Sequence, residues 1–159
     1  MGIKSYIVNF LKFLKHGGVK YVSVTFTNPD ARYTNKKVFI SGGSEGLGRA
    51  MAKAYLAEGA EVIVTGRSKE KLSNFQLSES NAKLHTLVWD ALDFDSYKQK
   101  FDKAVSMMGR IDIFVNNVGG GMSKYEPWNA YTAEVLDRTY DINTKSMFLM
   151  CQMEGLYMD

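Results

Sequence analysis

The chain has 159 residues, 45% apolar and 23% charged, enough for one domain with a real core and too ordinary for a fibrous or disordered protein. The single cysteine, Cys151, excludes a disulfide framework and a cysteine-based zinc site, and the two histidines, His16 and His85, are far apart in sequence and form no ligand pair. The net charge of +3 is uneven: residues 1–37 carry seven Lys or Arg against Asp30 alone, a local +6, which leaves the body at −3 and argues against nucleic acid as a partner.

Residues 3–14 place Ile3, Tyr6, Ile7, Phe10, Leu11, Phe13 and Leu14 near one face of a helix that His16-Gly17-Gly18 ends. This basic, apolar segment is expected to pack on the body or a partner subunit, with weak contact to an anionic membrane surface, or disorder, as the alternatives. It has no signal-peptide cleavage site, and no stretch of the chain approaches the ~20 apolar residues of a membrane span, so the expected setting is cytoplasmic. Val22, Val24 and Phe26 alternate as a short strand, and Asn28-Pro29-Asp30 makes a turn.

From there strands and helices alternate. Val38–Ile40 reads as a strand entering a glycine-rich turn, and residues 46–58 as a helix ended by Gly59. Glu61–Thr65 is a second strand, followed by a short helix from near Ser68 and a polar loop through Asn81. Leu84–Trp89 is a third strand, 95–108 a helix ended by Gly109, and Ile111–Val115 a fourth strand. Thr132 caps a last helix toward the C-terminus. Val- and Ile-rich strands separated by helices imply an α/β fold with a doubly wound parallel sheet of the Rossmann type, in the order 3-2-1-4. Residues 1–36 are read as a basic extension and 37–159 as the dinucleotide-binding domain.

The central signal is Ser41-Gly42-Gly43-Ser44-Glu45-Gly46-Leu47-Gly48, with glycines at 42, 46 and 48 between a strand and a helix. Gly42 permits a tight turn, Gly46 lets backbone approach a diphosphate, and Gly48 lets the helix pack closely. The helix N-terminus offers free N–H groups and the positive end of its dipole. A glycine-rich connector without a ligand is the bland alternative. The second strand ends in Thr65-Gly66-Arg67, without the acid that holds the ribose of NAD, so Arg67 is expected to grip a 2′-phosphate and favour NADP(H) over NAD(H). A solvated loop arginine is the alternative.

Four ordered motifs now converge. Ser41–Gly48 resembles the T-G-x-x-x-G-x-G signature of short-chain dehydrogenase/reductases, with Ser for Thr. Asp90 resembles the family Asp at the adenine. Asn116-Asn117-Val118-Gly119 resembles N-N-A-G, with Val118 where Ala is usual, and Asn143 resembles the helix Asn of the catalytic tetrad. The resemblance covers residues 37 to about 155. It implies that backbone around Ser44, Glu45 and Leu47 faces the cofactor phosphates, that Asp90 and Ala91 border the adenine, and that Asn117 to Gly119 line the ribose. Without the resemblance, Asn116 and Asn117 read as turn residues and Asn143 as an exposed helix Asn. In the family the helix is distorted at that Asn, whose backbone carbonyl holds a water.

The resemblance also implies hydride transfer between the nicotinamide and a carbonyl or alcohol substrate, and homo-oligomers when the enzyme is complete. The family Ser and Tyr-x-x-x-Lys are expected tens of residues beyond Asn143. Tyr33 and Lys37 make the chain's one Tyr-x-x-x-Lys, but they precede the first strand and are expected to be a coincidence. The chain is therefore read as a truncated, cofactor-binding half, with a non-catalytic NADP(H)-binding module or a non-functional remnant as alternatives. A sheet ending at the fourth strand is expected to expose that edge, and a helix apolar at Met147, Phe148, Leu149, Met150 and Met153 to lack cover. Tyr125 and Trp128 are expected to pack as aromatics rather than touch substrate.

Overall fold

A computed structural model describes residues 32–79, 83–121 and 131–158. The segments expected at 3–14, 22–26 and 28–30, together with Tyr125 and Trp128, lie outside the described residues.

Four parallel strands form one sheet in the order β3-β2-β1-β4: β1 Lys37–Ser41, β2 Glu61–Gly66, β3 Leu84–Val88 and β4 Ile113–Asn116. The register pairs Lys37 with Glu61, Val62 with Leu84 and Ser41 with Asn116, so Ser41, Gly66, Val88 and Asn116 end their strands along one edge. The order turns outward in both directions from β1, which opens a crevice at that edge.

Alternation within the strands divides the core. Val38, Ile40, Val62 and Val64 face helix α1 (Gly46–Ala57) and helix α2 (Lys69–Ser78), where Ala52, Leu56, Leu72 and Phe75 close the layer. Phe39 and Ile63 face the opposite side and meet α3 (Tyr97–Met108), which a 3-10 turn at Phe94–Ser96 introduces. There Phe39 stacks on the fully buried Phe101 at 5.1 Å between ring centroids, and Trp89 meets Tyr97 edge to face at 4.9 Å. Both faces are covered, as a parallel sheet requires.

Three expectations shift. The second helix, expected to be short, starts after Ser68 and runs for ten residues, because the Ser68 side chain accepts from the Lys71 N–H and Leu72 and Phe75 bury one face. The fourth strand begins at Ile113, not Ile111. Ile111 is buried under α3, and the backbone at Asp112 is occupied with Lys37, whose carbonyl takes the Asp112 N–H at 2.8 Å.

The last helix is not continuous. Thr132 caps α4 (Ala133–Tyr140), a π turn covers Asp141–Lys145, and α5 spans Ser146–Glu154. Nor is α5 bare: Met150 is 1% exposed against the Phe39–Phe101 layer, and Leu149 and Met153 pack beside it, whereas Phe148 remains 68% exposed. Among the described residues β4 pairs with β1 alone.

At the sheet's opposite edge Tyr33 packs on Tyr55, ring centroids 4.8 Å apart. Glu61 joins Lys37 to His85, whose Nε2 lies 2.8 Å from the carboxylate. The Tyr33–Lys37 motif is thus at the far end of the strands from the glycine turn.

Candidate cofactor site

The glycine turn connects β1 to α1. Gly42 and Gly46 have positive φ, +70° and +57°. At Gly48 the demand is spatial: a Cβ would stand 2.2 Å from the Gly42 carbonyl oxygen and 2.7 Å from Asn117 Nδ2. That amide donates to the Gly42 carbonyl at 2.8 Å, so the turn is bolted to the loop after β4. A Cβ at Gly46 would meet nothing within 4 Å; the turn is open on that side, and Leu47 beside it is 70% exposed. Glu45 is the extended residue before α1, and its side chain does not cap the helix, whose first N–H groups are left for another acceptor.

Ser41 is fully buried, and its hydroxyl accepts the Asn117 N–H at 3.0 Å and the Val118 N–H at 3.2 Å. Its place is behind the site, fixing the β4 loop. Asn116 Nδ2 donates to the Met147 carbonyl at 3.1 Å and joins that loop to α5.

A cleft of about 1120 Å³ lies along the strand ends. Of the residues singled out in the sequence, Gly42, Ser44, Glu45, Arg67, Asp90, Ala91, Asn117, Val118 and Gly119 line it. Ser41, Gly46, Leu47, Gly48 and Asn143 do not. Sequence reasoning missed Lys71 and the wall that α4 builds from Val135, Arg138 and Thr139, continued by Tyr131 before its cap and by Ile142 in the π turn. The signals were a lysine one turn past Arg67 in a Ser-capped helix, and a set of residues at helical spacing.

Electrostatics divide the cleft. Lys71 Nζ lies 2.8 Å from each Glu45 carboxylate oxygen, whereas Arg67 makes no ion pair among the described residues. At the other wall the Tyr97 hydroxyl donates to the Ala91 carbonyl at 2.6 Å, and Asp90 accepts the Leu92 N–H at 3.1 Å. Burial, reinforced by Asp90 and Asp93, pushes the Tyr97 hydroxyl far above the usual phenol range and keeps it a donor.

Asn143 lies in the π turn, where the helix distortion expected from the resemblance is found. Its side chain spans two elements. Nδ2 donates to the Gly120 carbonyl at 2.7 Å and to the Thr139 carbonyl at 2.8 Å, and Oδ1 accepts the Gly120 N–H at 3.1 Å. The hydroxyls of Thr139 and Ser146 donate to the carbonyls of Val135 and Ile142, which loosens the α-helical ladder on either side.

A parallel sheet wound on both faces, with a glycine turn and an uncapped helix N-terminus at the switch point, defines a dinucleotide-binding domain of the Rossmann type. Residues 36–159 match the family profile described as short chain dehydrogenase. The 7alpha-hydroxysteroid dehydrogenase of Bacteroides fragilis is 31% identical over 77% of this chain and 46% of its own length. Levodione reductase of Leifsonia aquatica is 35% identical over 77% and 47%. The crystal structure of a short chain dehydrogenase from Bacillus anthracis superposes with a TM-score of 0.71 at 31% identity, covering 77% of this chain and 51% of that one. The chain belongs to the short-chain dehydrogenase/reductase family of oxidoreductases, whose members bind NAD(P). It spans about half the length of the curated relatives it matches.

Proposed function

We propose that this chain supplies the NADP(H)-binding half of an oxidoreductase that moves a hydride between the nicotinamide and the carbonyl or alcohol carbon of a small molecule. The observation that carries the reading is the turn at Gly42–Gly48. A Cβ at Gly48 would fill it, yet it is open at Gly46, directly before uncapped helix N–H groups. A diphosphate fits this donor set, because backbone N–H groups at a helix start carry partial positive charge and reach an anion that side chains would obstruct.

When bound, the cofactor supplies or accepts the hydride. The chain's own residues hold it. Backbone at Ser44 to Leu47 receives the diphosphate. The Asp90–Ala91 turn, fixed by Tyr97, borders the adenine, and Asn117 to Gly119 line a ribose. Asn143 grips Gly120 from the π turn and so sets the height of that loop. Arg67, without an ion pair among the described residues at the end of β2, takes the 2′-phosphate, which favours NADP(H).

A second reading is a module that holds NADP(H) without chemistry; the Tyr-x-x-x-Lys pair at Tyr33 and Lys37 lies at the sheet's other end, with Lys37 held by Glu61, and takes no part in either reading. Calorimetric titration of the full chain with NADPH and NADH tests the cofactor, and an assay with simple ketones separates the two readings. NADPH binds more tightly, and Arg67→Ser removes about tenfold or more of that preference. A folded chain that binds neither dinucleotide refutes both readings.

A further inference from the structure

Glu45 and Lys71 form an ion pair whose position is unusual for its surroundings. Both line the cleft, and both Glu45 oxygens accept from the Lys71 ammonium at 2.8 Å. Glu45 directly precedes α1, so a carboxylate released from Lys71 is within reach of the N–H groups proposed to receive a diphosphate. An uncompensated anion there would repel the phosphates that the helix N-terminus attracts. The side chain does not settle onto the helix as a cap; it reaches across to α2.

Lys71 is placed for that task. It sits one helical turn after Arg67, in the first turn of α2, with its own N–H held by the Ser68 hydroxyl. The two side chains are about half and two-thirds exposed, so the pair adds little to stability and its effect is local and electrostatic. We infer that Lys71 is a specificity-determining positioning residue: by neutralising Glu45 and drawing it off the α1 N-terminus, it sets how much negative charge the cleft accepts, and so favours the more highly charged NADP(H). The inference rests on the dinucleotide reading. Arg67 touches the 2′-phosphate in that reading; Lys71 acts through Glu45.

Titration of the full-length wild type, Lys71→Met, Glu45→Gln and the double variant with NADPH and NADH tests it, with circular dichroism melts to confirm folding. One unpaired charge several ångströms from the phosphates is worth about threefold to tenfold in Kd. Lys71→Met weakens NADPH by that factor and NADH by less, and the defect shrinks in ~0.5 M salt. Glu45→Gln frees the Lys71 charge and tightens NADPH, and adding it to Lys71→Met returns the Kd to within about twofold of wild type. If the double variant stays as weak as Lys71→Met, Lys71 contacts the phosphate directly and the inference is overturned. It is also overturned if Lys71→Met binds NADPH like wild type, which leaves the cofactor reading standing. A folded wild type that binds neither dinucleotide removes both.

Discussion

Replacing Gly48 with alanine tests the geometry of the turn most sharply. The new methyl carbon would lie 2.2 Å from the Gly42 carbonyl oxygen, far inside any tolerated contact, and 2.7 Å from Asn117 Nδ2. Neither neighbour can yield freely, since one is backbone and the other donates to that same carbonyl at 2.8 Å. Overpacking of this kind costs about 1–3 kcal/mol. Losing the Asn117 bond adds ~1 kcal/mol, and the better helix propensity of alanine offsets ~1 kcal/mol. The net loss is about 1–3 kcal/mol, or roughly 3–10 °C in Tm for a domain of this size. NADPH affinity falls at least about tenfold, because the turn that presents the α1 N–H groups is displaced. Thermal melts followed by circular dichroism and a parallel NADPH titration provide the readouts. Gly155→Ala is the control: Gly155 ends α5 at φ −57°, and its added Cβ would meet atoms no nearer than 3.6 Å, so the melt stays unchanged or rises slightly. A Gly48→Ala variant that melts with the wild type and binds NADPH equally well would refute the close approach of α1 to the turn.

Three further outcomes are expected. Phe101→Ala removes a fully buried ring stacked on Phe39 and Tyr157, at a cost of about 3–5 kcal/mol, and should abolish or nearly abolish the cooperative melt; a transition within a few degrees of wild type contradicts that packing. Asn143→Asp keeps the acceptor for the Gly120 N–H but loses both donations, to Gly120 and Thr139, so it should weaken NADPH binding as much as Asn143→Ala; intermediate affinity for the Asp variant would show that acceptance alone holds the loop. Burial opposes ionisation of Glu61 and Asp112, but bonds from Lys37 and His85 to the first, and from Arg110 and the Lys37 N–H to the second, hold both below the usual carboxylate range. Their contribution is therefore complete above about pH 5 and is lost as pH falls through the lowered values; Asp112→Asn should lower Tm at pH 7 and flatten the decline below pH ~4, and an unchanged acid slope would contradict this.

The strand order and both sheet faces were legible because the signals are local and repeated: short Val- and Ile-rich runs, helices between them, and glycine at the turns. Gly59 and Gly109, read as helix ends, do adopt positive φ at those points. What was illegible depended on partners distant in sequence. Ile111 is as apolar as a strand residue, but its burial comes from α3, and its neighbour Asp112 is engaged by Lys37. The length of α2 follows from what Leu72 and Phe75 meet on the sheet, not from a helix stripe read alone.

The site divides the same way. The glycine positions announce a backbone constraint, and nine of the expected residues do line one cleft. Ser41 appears in the same motif but is buried behind it, since its hydroxyl is needed by two N–H groups of the β4 loop. No spacing rule reveals the Glu45–Lys71 pair across 26 residues, or the grip of Asn143 on Gly120 across 23.

Backbone amide NMR of the full chain during NADPH titration tests the central claim most directly. The amides of Ser44 to Leu47 should shift earliest and farthest, in a saturable one-site curve, because they are the proposed seat of the diphosphate. If those amides stay fixed while others respond, for instance near Tyr33 and Lys37 at the sheet's opposite edge, the diphosphate does not bind at the start of α1 and the account fails.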